Sequence, residues 1–209
     1  SVTVAYSGVP PGVVGAAQGY QKGTGTLGAS PNQYTGSLSE SYEDRDWWPC
    51  KADMKDKIDS MDINVTVPWV TPADTFWVAS NGVLYDSTIT GSNRTFKYKT
   101  RYPIASYLVA VSVAKFTRYY SAVTISGTVV PVQFYMLRNG TGQAAKVTTM
   151  TAVNAAVDSL SRRWGDYPFK LEKHGFYDGL NGAGGMEHQT FSAIANGQFN
   201  TATLVHELG

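Results

Sequence analysis

The hydrophobic period of the chain changes once, near Asn139-Gly140, and that change limits the folds open to it. Before it, apolar residues alternate with polar ones. Ile63, Val65 and Val67 are interleaved with Asp62, Asn64 and Thr66, and Val132, Phe134 and Met136 repeat the alternation. Successive side chains point to opposite faces of a strand, so this period of two predicts half-buried strands. Further strands are expected over 2–6, 75–79 (closed by the turn Ser80-Asn81-Gly82), 95–101 and 107–116, where Val109, Val111 and Val113 share one face. Pro10-Pro11-Gly12 and the glycine-rich stretch to Gly28 predict a loop. After the change, Val147, Met150, Val153, Val157, Leu160 and Trp164 recur at spacings of three and four. That spacing predicts an amphipathic helix, ended by Gly165 with Pro168 beyond. Strands over 171–176 and 187–194 and a helix over 201–208 complete the pattern. The expected fold is mainly β, with a β-sandwich or saddle-like curved sheet over 1–139 and a helix-and-strand segment over 140–209.

Composition excludes several classes of function. The net charge is +1 and charged residues make up 16%, which is no electrostatic footprint for nucleic acid. No apolar run approaches the roughly 20 residues of a membrane span. Cys50 is the single cysteine, so no internal disulfide forms, and it is expected as a small buried residue. Tyr42, Trp47 and Trp48 are expected in a core. Asp53, Asp56, Asp59 and Asp62 are interleaved with lysines and read as a solvated face rather than a calcium loop. Low charge, 21 Gly, 13 Tyr and N-x-Thr triplets at Asn64, Asn93 and Asn139 lean towards a secreted or periplasmic protein. The chain opens on Ser1 without a signal-peptide pattern and stops inside a motif, as expected of a piece of a longer protein.

That motif is His206-Glu207-Leu208-Gly209, which matches four positions of H-E-x-x-H. Two histidines four apart lie one helical turn apart and can grip one zinc ion. The glutamate after the first sits where it can take a proton from zinc-bound water. Here His206 would be the first ligand and Glu207 the general base, while a second histidine and a third ligand are absent. Asn200 or Thr201 can cap the helix, and Ala202, Leu204, Val205 and Leu208 give it an apolar face. Alone, a His-Glu pair is a weak signal. Upstream, the loop 179–185 carries four glycines and feeds Met186-Glu187-His188. Glycines let a substrate backbone approach closely, and an edge strand can take up a peptide as an extra strand. A carboxylate at Glu187 would then hold the peptide's α-ammonium. Without the downstream His-Glu pair, a glycine turn with a solvated glutamate is the plainer reading.

Together, Gly184-Gly185-Met186-Glu187-His188 and Leu204-Val205-His206-Glu207-Leu208-Gly209 resemble the aminopeptidase N family of gluzincin zinc metallopeptidases. Other segments agree in order from about Ser37 onward. Arg45-Asp46-Trp47-Trp48-Pro49-Cys50 is similar to the family's A-R-x-x-F-P-C, and Ala79-Ser80-Asn81-Gly82 to its A-x-S-N-G turn. Tyr102 to Ala110 is similar to its M-x-x-Y-L-x-A strand, and Tyr167-Pro168-Phe169-Lys170-Leu171 to its Y-P-x-x-K-L. The resemblance implies that Glu187 and Glu40 bind the substrate amine, that Gly184 and Gly185 hold the peptide backbone beside Met186, and that His206 and Glu207 are zinc ligand and base. His188 stands where the family usually has Asn, which would put a group titrating near pH 6.5 beside the amine. It also implies that 140–209 begin a thermolysin-like α+β catalytic domain.

The expectation is a parent protein that is a zinc-dependent aminopeptidase, acting on peptides and completed by the rest of its catalytic domain. The 209 residues alone are expected to be inactive, because one histidine does not hold catalytic zinc. The competing expectation is a non-catalytic β-domain that serves as a binding or docking module.

Overall fold

A computed structural model of the chain describes residues 2–8, 19–25, 32–40, 42–51, 53–72, 75–138, 140, 142–180, 184–195 and 198–208. Its strands are β1 (Tyr20–Gly25), β2 (Asn32–Ser37), β3 (Met61–Pro68), β4 (Trp77–Ser80), β5 (Val83–Thr90), β6 (Asn93–Thr100), β7 (Val111–Ala114), β8 (Phe116–Ile125) and β9 (Thr128–Leu137). Helix α1 (Gln143–Trp164) follows, then β10 (His174–Leu180), β11 (Gly185–Met186), β12 (Ser192–Ala195) and α2 (Thr201–His206). The fold is mainly β, as expected.

The strands form three sheets, in the orders β3-β6-β5, β1-β2-β7-β4 and β11-β12-β10-β9-β8. They stack as layers because neighbouring residues of one strand face opposite cores. On β4, Val78 packs with Ile63, Phe96, Tyr98 and Val111 between the first two sheets. The next residue, Ala79, packs with Phe116, Tyr135, Tyr177 and Met186 between the second and third. On the far side of the third sheet, Val132, Phe134, Met136 and Phe176 meet Met150 and Val153 of α1 and Leu204 of α2. Strands β9 and β10 run parallel. A parallel pair needs a crossover, and α1 supplies it, which is why the helix lies on this face.

Polar ties lock the layers in register. The buried Asn81 side chain donates to Leu108 O (3.0 Å) and Gln189 O (2.7 Å) and accepts from Ala110 N (2.6 Å). Gly82 N donates to Thr190 Oγ1 at 2.9 Å. Gly82 has φ +66°, and a Cβ there would lie 2.1 Å from Lys99 O, so no other residue fits this turn. Lys173, 1% exposed, donates to Ser80 O at 2.5 Å. The bonds to Gln189 and Thr190 join the early sheets to the turn that follows β11.

Several elements differ from the sequence expectation. Residues 2–8 are exposed and form no strand, so the strand expected over 2–6 is not seen. β1 forms inside the expected glycine-rich loop by pairing with β2; residues 10–18 and 26–28 of that loop lie outside the described residues. The expected strand 107–116 is a 3-10 turn (Ser106–Leu108) followed by β7. β8 was not expected at all. Its middle is exposed on both faces at the edge of its sheet, so it shows no alternation. The strand expected over 171–176 begins at His174 and runs on to Leu180, and Leu171 is 74% exposed. The strand expected over 187–194 is a hairpin, with β11 and β12 antiparallel around a turn. Cys50 is half-buried rather than buried, and Tyr42 is exposed while Trp47 and Trp48 pack on the core. β8 and β9, before residue 139, hydrogen-bond into the same sheet as β10–β12.

Candidate active site

The site forms where the short edge strand β11 meets the end of α2. Asn200 caps α2, its side chain accepting from Thr203 N at 3.0 Å. Leu204 anchors the helix in the core with no exposed surface. The anchor leaves His206, in the last turn, exposed to solvent. Glu207 follows as C-cap, donating its N–H to Thr203 O at 2.9 Å while its carbonyl accepts from Ser192 Oγ at 3.1 Å. The helix end is thereby tied to β12.

Glu207 turns its side chain against β11 and is 8% exposed. A Cβ on Gly185 would lie 2.5 Å from Glu207 Cδ and 2.6 Å from Oε1. Glycine at 185 is therefore what lets the carboxylate lie on the strand. Gly184 is needed for another reason: its φ is +88°, with open space where a Cβ would be. Its carbonyl accepts from Ala195 N at 3.0 Å. Asn181, Gly182 and Ala183 of the expected glycine loop lie outside the described residues.

Beyond β11 the chain turns, with His188 N donating to Met186 O at 2.8 Å. Met186 is 1% exposed and points into the core, so only its backbone faces the edge. Glu187 is exposed. His188 is buried, as a packed ring rather than a solvent-facing one. Its ring stacks on Tyr177 at 6.2 Å, and its Nδ1 lies 3.1 Å from the Tyr177 hydroxyl. Burial pushes its pKa down to about 3, so it is neutral at any physiological pH.

Electrostatics connect the three carboxylates expected to act. Burial, then the charge of Glu187, hold the Glu207 carboxyl above its usual range; Glu40 adds to the rise and His206 opposes it. Tyr107 is raised by burial, then by Glu187 and Glu40. Glu40, in the loop after β2, thus shares a field with Glu187 and Glu207, 147 and 167 positions later. Tyr107 belongs to this neighbourhood and was missed, because Ser106-Tyr107-Leu108 reads as part of a strand. Ser192 was missed too: a serine that fastens a helix end carries no local motif. Carboxylates whose charges raise one another favour a nearby cation, and an edge strand offers backbone partners for a peptide.

The residues present do not by themselves make a zinc site. Among the described residues no three His, Cys, Asp or Glu side chains come together as a metal site. His206 is exposed, while the other two imidazoles, His174 and His188, are buried at 3% and 1% exposure.

The fold is that of the M1 zinc metallopeptidases. A two-domain M1 zinc metallopeptidase variant bound to L-arginine superposes on 97% of this chain with a TM-score of 0.77 at 19% identity. The M1 zinc metallopeptidase from Deinococcus radiodurans matches 87% of the chain with a TM-score of 0.72, also at 19% identity. A variant of the latter bound to a Tyr-Ser-Ala substrate matches 87% with a TM-score of 0.74. The chain spans 40–42% of the length of these structures. No family model and no curated protein matches the sequence.

Proposed function

We propose that this chain is the amine-binding part of a zinc-dependent aminopeptidase that releases N-terminal amino acids from peptides. One observation carries the reading: Glu40, Glu187 and Glu207 share one field beside a glycine-built strand edge. An α-ammonium is the cation that such a cluster would hold at the end of a peptide. The backbone of that peptide can pair along β11, the edge strand of its sheet, with the Glu207 carboxylate lying on Gly185. With the amine fixed, the first peptide bond lies next, towards Glu207 and His206. A carboxyl raised above its ordinary range is a better proton acceptor when ionised, which suits Glu207 to the role of base. Bound zinc would supply an activated water, and His206 is the one exposed imidazole this chain offers it. The solved neighbours that hold L-arginine or a tripeptide support ligands with a free amine. A secreted or periplasmic setting is part of the same proposal, on composition alone.

The test is hydrolysis of aminoacyl-p-nitroanilides by the whole protein and its Glu187→Gln variant. Loss of a charged hydrogen bond to the amine, about 1.5–3 kcal/mol, lowers kcat/KM by roughly 10–100-fold. The 209 residues alone are expected to hydrolyse nothing. Unchanged turnover in Glu187→Gln removes the amine anchor. Peptide binding by a whole protein that lacks hydrolysis assigns the chain to a docking module instead.

A further inference from the structure

Away from the carboxylate cluster, a seam between β6 and β8 gathers arginines on aromatic rings without a counter-charge. The Arg94 guanidinium lies 4.5 Å from the Trp77 ring centre, 4.7 Å from Phe96 and 5.6 Å from Trp69. The Arg118 guanidinium lies 3.2 Å from the same Trp77 ring and 5.6 Å from Tyr120. Two cations thus share one indole. Their hydrogen bonds go to neutral hydroxyls: Arg94 Nη2 to Ser87 Oγ at 2.9 Å, and Arg118 Nη1 to Tyr120 OH at 2.6 Å, with Tyr135 also served by Arg118. Among the described residues neither arginine has a carboxylate partner, although Lys97 and Lys99 nearby on β6 are paired with Asp86 and Asp62. The buried Nε of Arg94 has no acceptor at all. A buried strong donor left unpaired is uncommon and points to a missing partner. Burial and then the Arg118 charge lower the Arg94 pKa, the electrostatic counterpart of the same crowding.

The rim of the seam is apolar and open, with Tyr120 59%, Val70 58% and Ile89 51% exposed. Tryptophan, tyrosine and arginine in a partly desolvated patch are the residues that dominate protein–protein binding energy. Guanidinium pairs bidentately with carboxylate, and rings beside it offer platforms for apolar side chains. A net charge of +1 and a seam built on two arginines are too little for a nucleic acid, whose binding rests on many phosphate contacts.

We propose that this seam docks an acidic polypeptide segment, whose carboxylates pair with Arg94 and Arg118 while its apolar side chains lie on Trp69, Trp77 and Tyr120. The probe is a fluorescein-labelled peptide of alternating glutamate and phenylalanine, titrated with the 209-residue chain and followed by anisotropy. A glutamine-for-glutamate peptide, free glutarate and single-stranded DNA complete the set. Saturable, salt-sensitive binding of the acidic peptide is expected. It should weaken roughly tenfold or more in Arg118→Gln and in Arg94→Gln. It should recover in part in Arg118→Lys, which keeps the charge but not the fork, and stay unchanged in Lys99→Gln. Melting curves identify any variant that has lost its fold, and the arginines on two strands provide independent readings. The proposal is overturned by absent or non-saturable binding, by equal binding of the glutamine peptide, or by arginine variants that bind like the parent. Glutarate competing as well as the peptide would make this a small-carboxylate site, and tighter DNA binding a polyanion site; either result also overturns it.

Discussion

His188 and His174 are imidazoles that the fold takes out of water. His174 stands edge-on to Phe176 and Tyr167, and burial lowers its pKa to about 4. His188 falls to about 3 for the same reason. In the unfolded chain both titrate near 6.5. Above that pH neither state binds the proton, so stability is unaffected. As pH falls below 6.5 the unfolded chain gains protons that the folded chain refuses, and stability drops down to about pH 4 for His174 and about pH 3 for His188. Lys173, pushed down to about 7 by burial, is protonated in both states for most of that window and adds little slope. Each histidine contributes a slope of about 1.4 kcal/mol per pH unit. His188→Asn should therefore remove about that slope between pH 6 and pH 4, measured as urea unfolding free energy against pH. Groups such as Asp178 and Glu207, whose raised carboxyls act in the opposite sense, are common to both proteins and cancel in the difference. An unchanged slope would mean that His188 takes its proton inside the fold. The burial of His188 was not legible in the sequence. It depends on the turn after Met186 and on Tyr177, eleven residues away on another strand. Glu207 beside His206 was legible, because a helix brings its neighbours together without help from the rest of the chain.

Strand β10 illustrates what elements reveal and conceal. All seven of its residues are buried, between parallel neighbours β9 and β12. Such a strand is expected to be a continuous apolar run, yet it reads His-Gly-Phe-Tyr-Asp-Gly-Leu. Asp178 is tolerated because Lys146 of α1 reaches it at 2.9 Å. Gly175 is there because a Cβ would stand 2.0 Å from Gln133 O and 3.0 Å from Phe191. Neither reason is local, so the expected strand started three residues early and stopped short. β3 and β9 were legible because each has one face in a core and the other near solvent for part of its length, with Ile63 and Val67 or Val132, Phe134 and Met136 inward. Gly175→Ala tests the packing at β10. The new methyl has to displace backbone on one side and a buried ring on the other, a cost on the order of 3 kcal/mol or more. Gly8→Ala, where nothing lies within 4 Å, should stay within about 0.5 kcal/mol. Urea midpoints of the two variants give the comparison, and equal midpoints would mean that β9 and β10 can separate without loss.

At the scale of the whole molecule, the change of period near residue 140 did mark a real event, the step from β9 into the α1 crossover. The pairing of β9 with β10 across that point depends on chain reversal over α1, which no periodicity records. The layered fold also decides what the chain can do with metal. Its three histidines are dispersed: two face cores, and His206 alone faces solvent, at the end of a six-residue helix. Beside that helix, Val157, Leu160, Trp164, Tyr167, Pro168, Val205 and Leu208 bound an open cleft of about 660 Å³, with Trp164 84% exposed. An apolar cleft of this kind beside α2 is a surface on which further structure can pack. A single imidazole, even with Glu207 adjacent, lacks the three protein ligands of a catalytic zinc. Zinc titrated into the 209-residue chain against a chromophoric chelator should therefore show no stoichiometric uptake, with His206→Ala behaving like the parent. In the whole protein, where ligands from other segments can join His206, uptake of one ion should appear and be lost in His206→Ala. Tight uptake by the 209 residues that disappears in His206→Ala would show instead that groups already present complete the site, and with it the prediction of inactivity for this chain would fall.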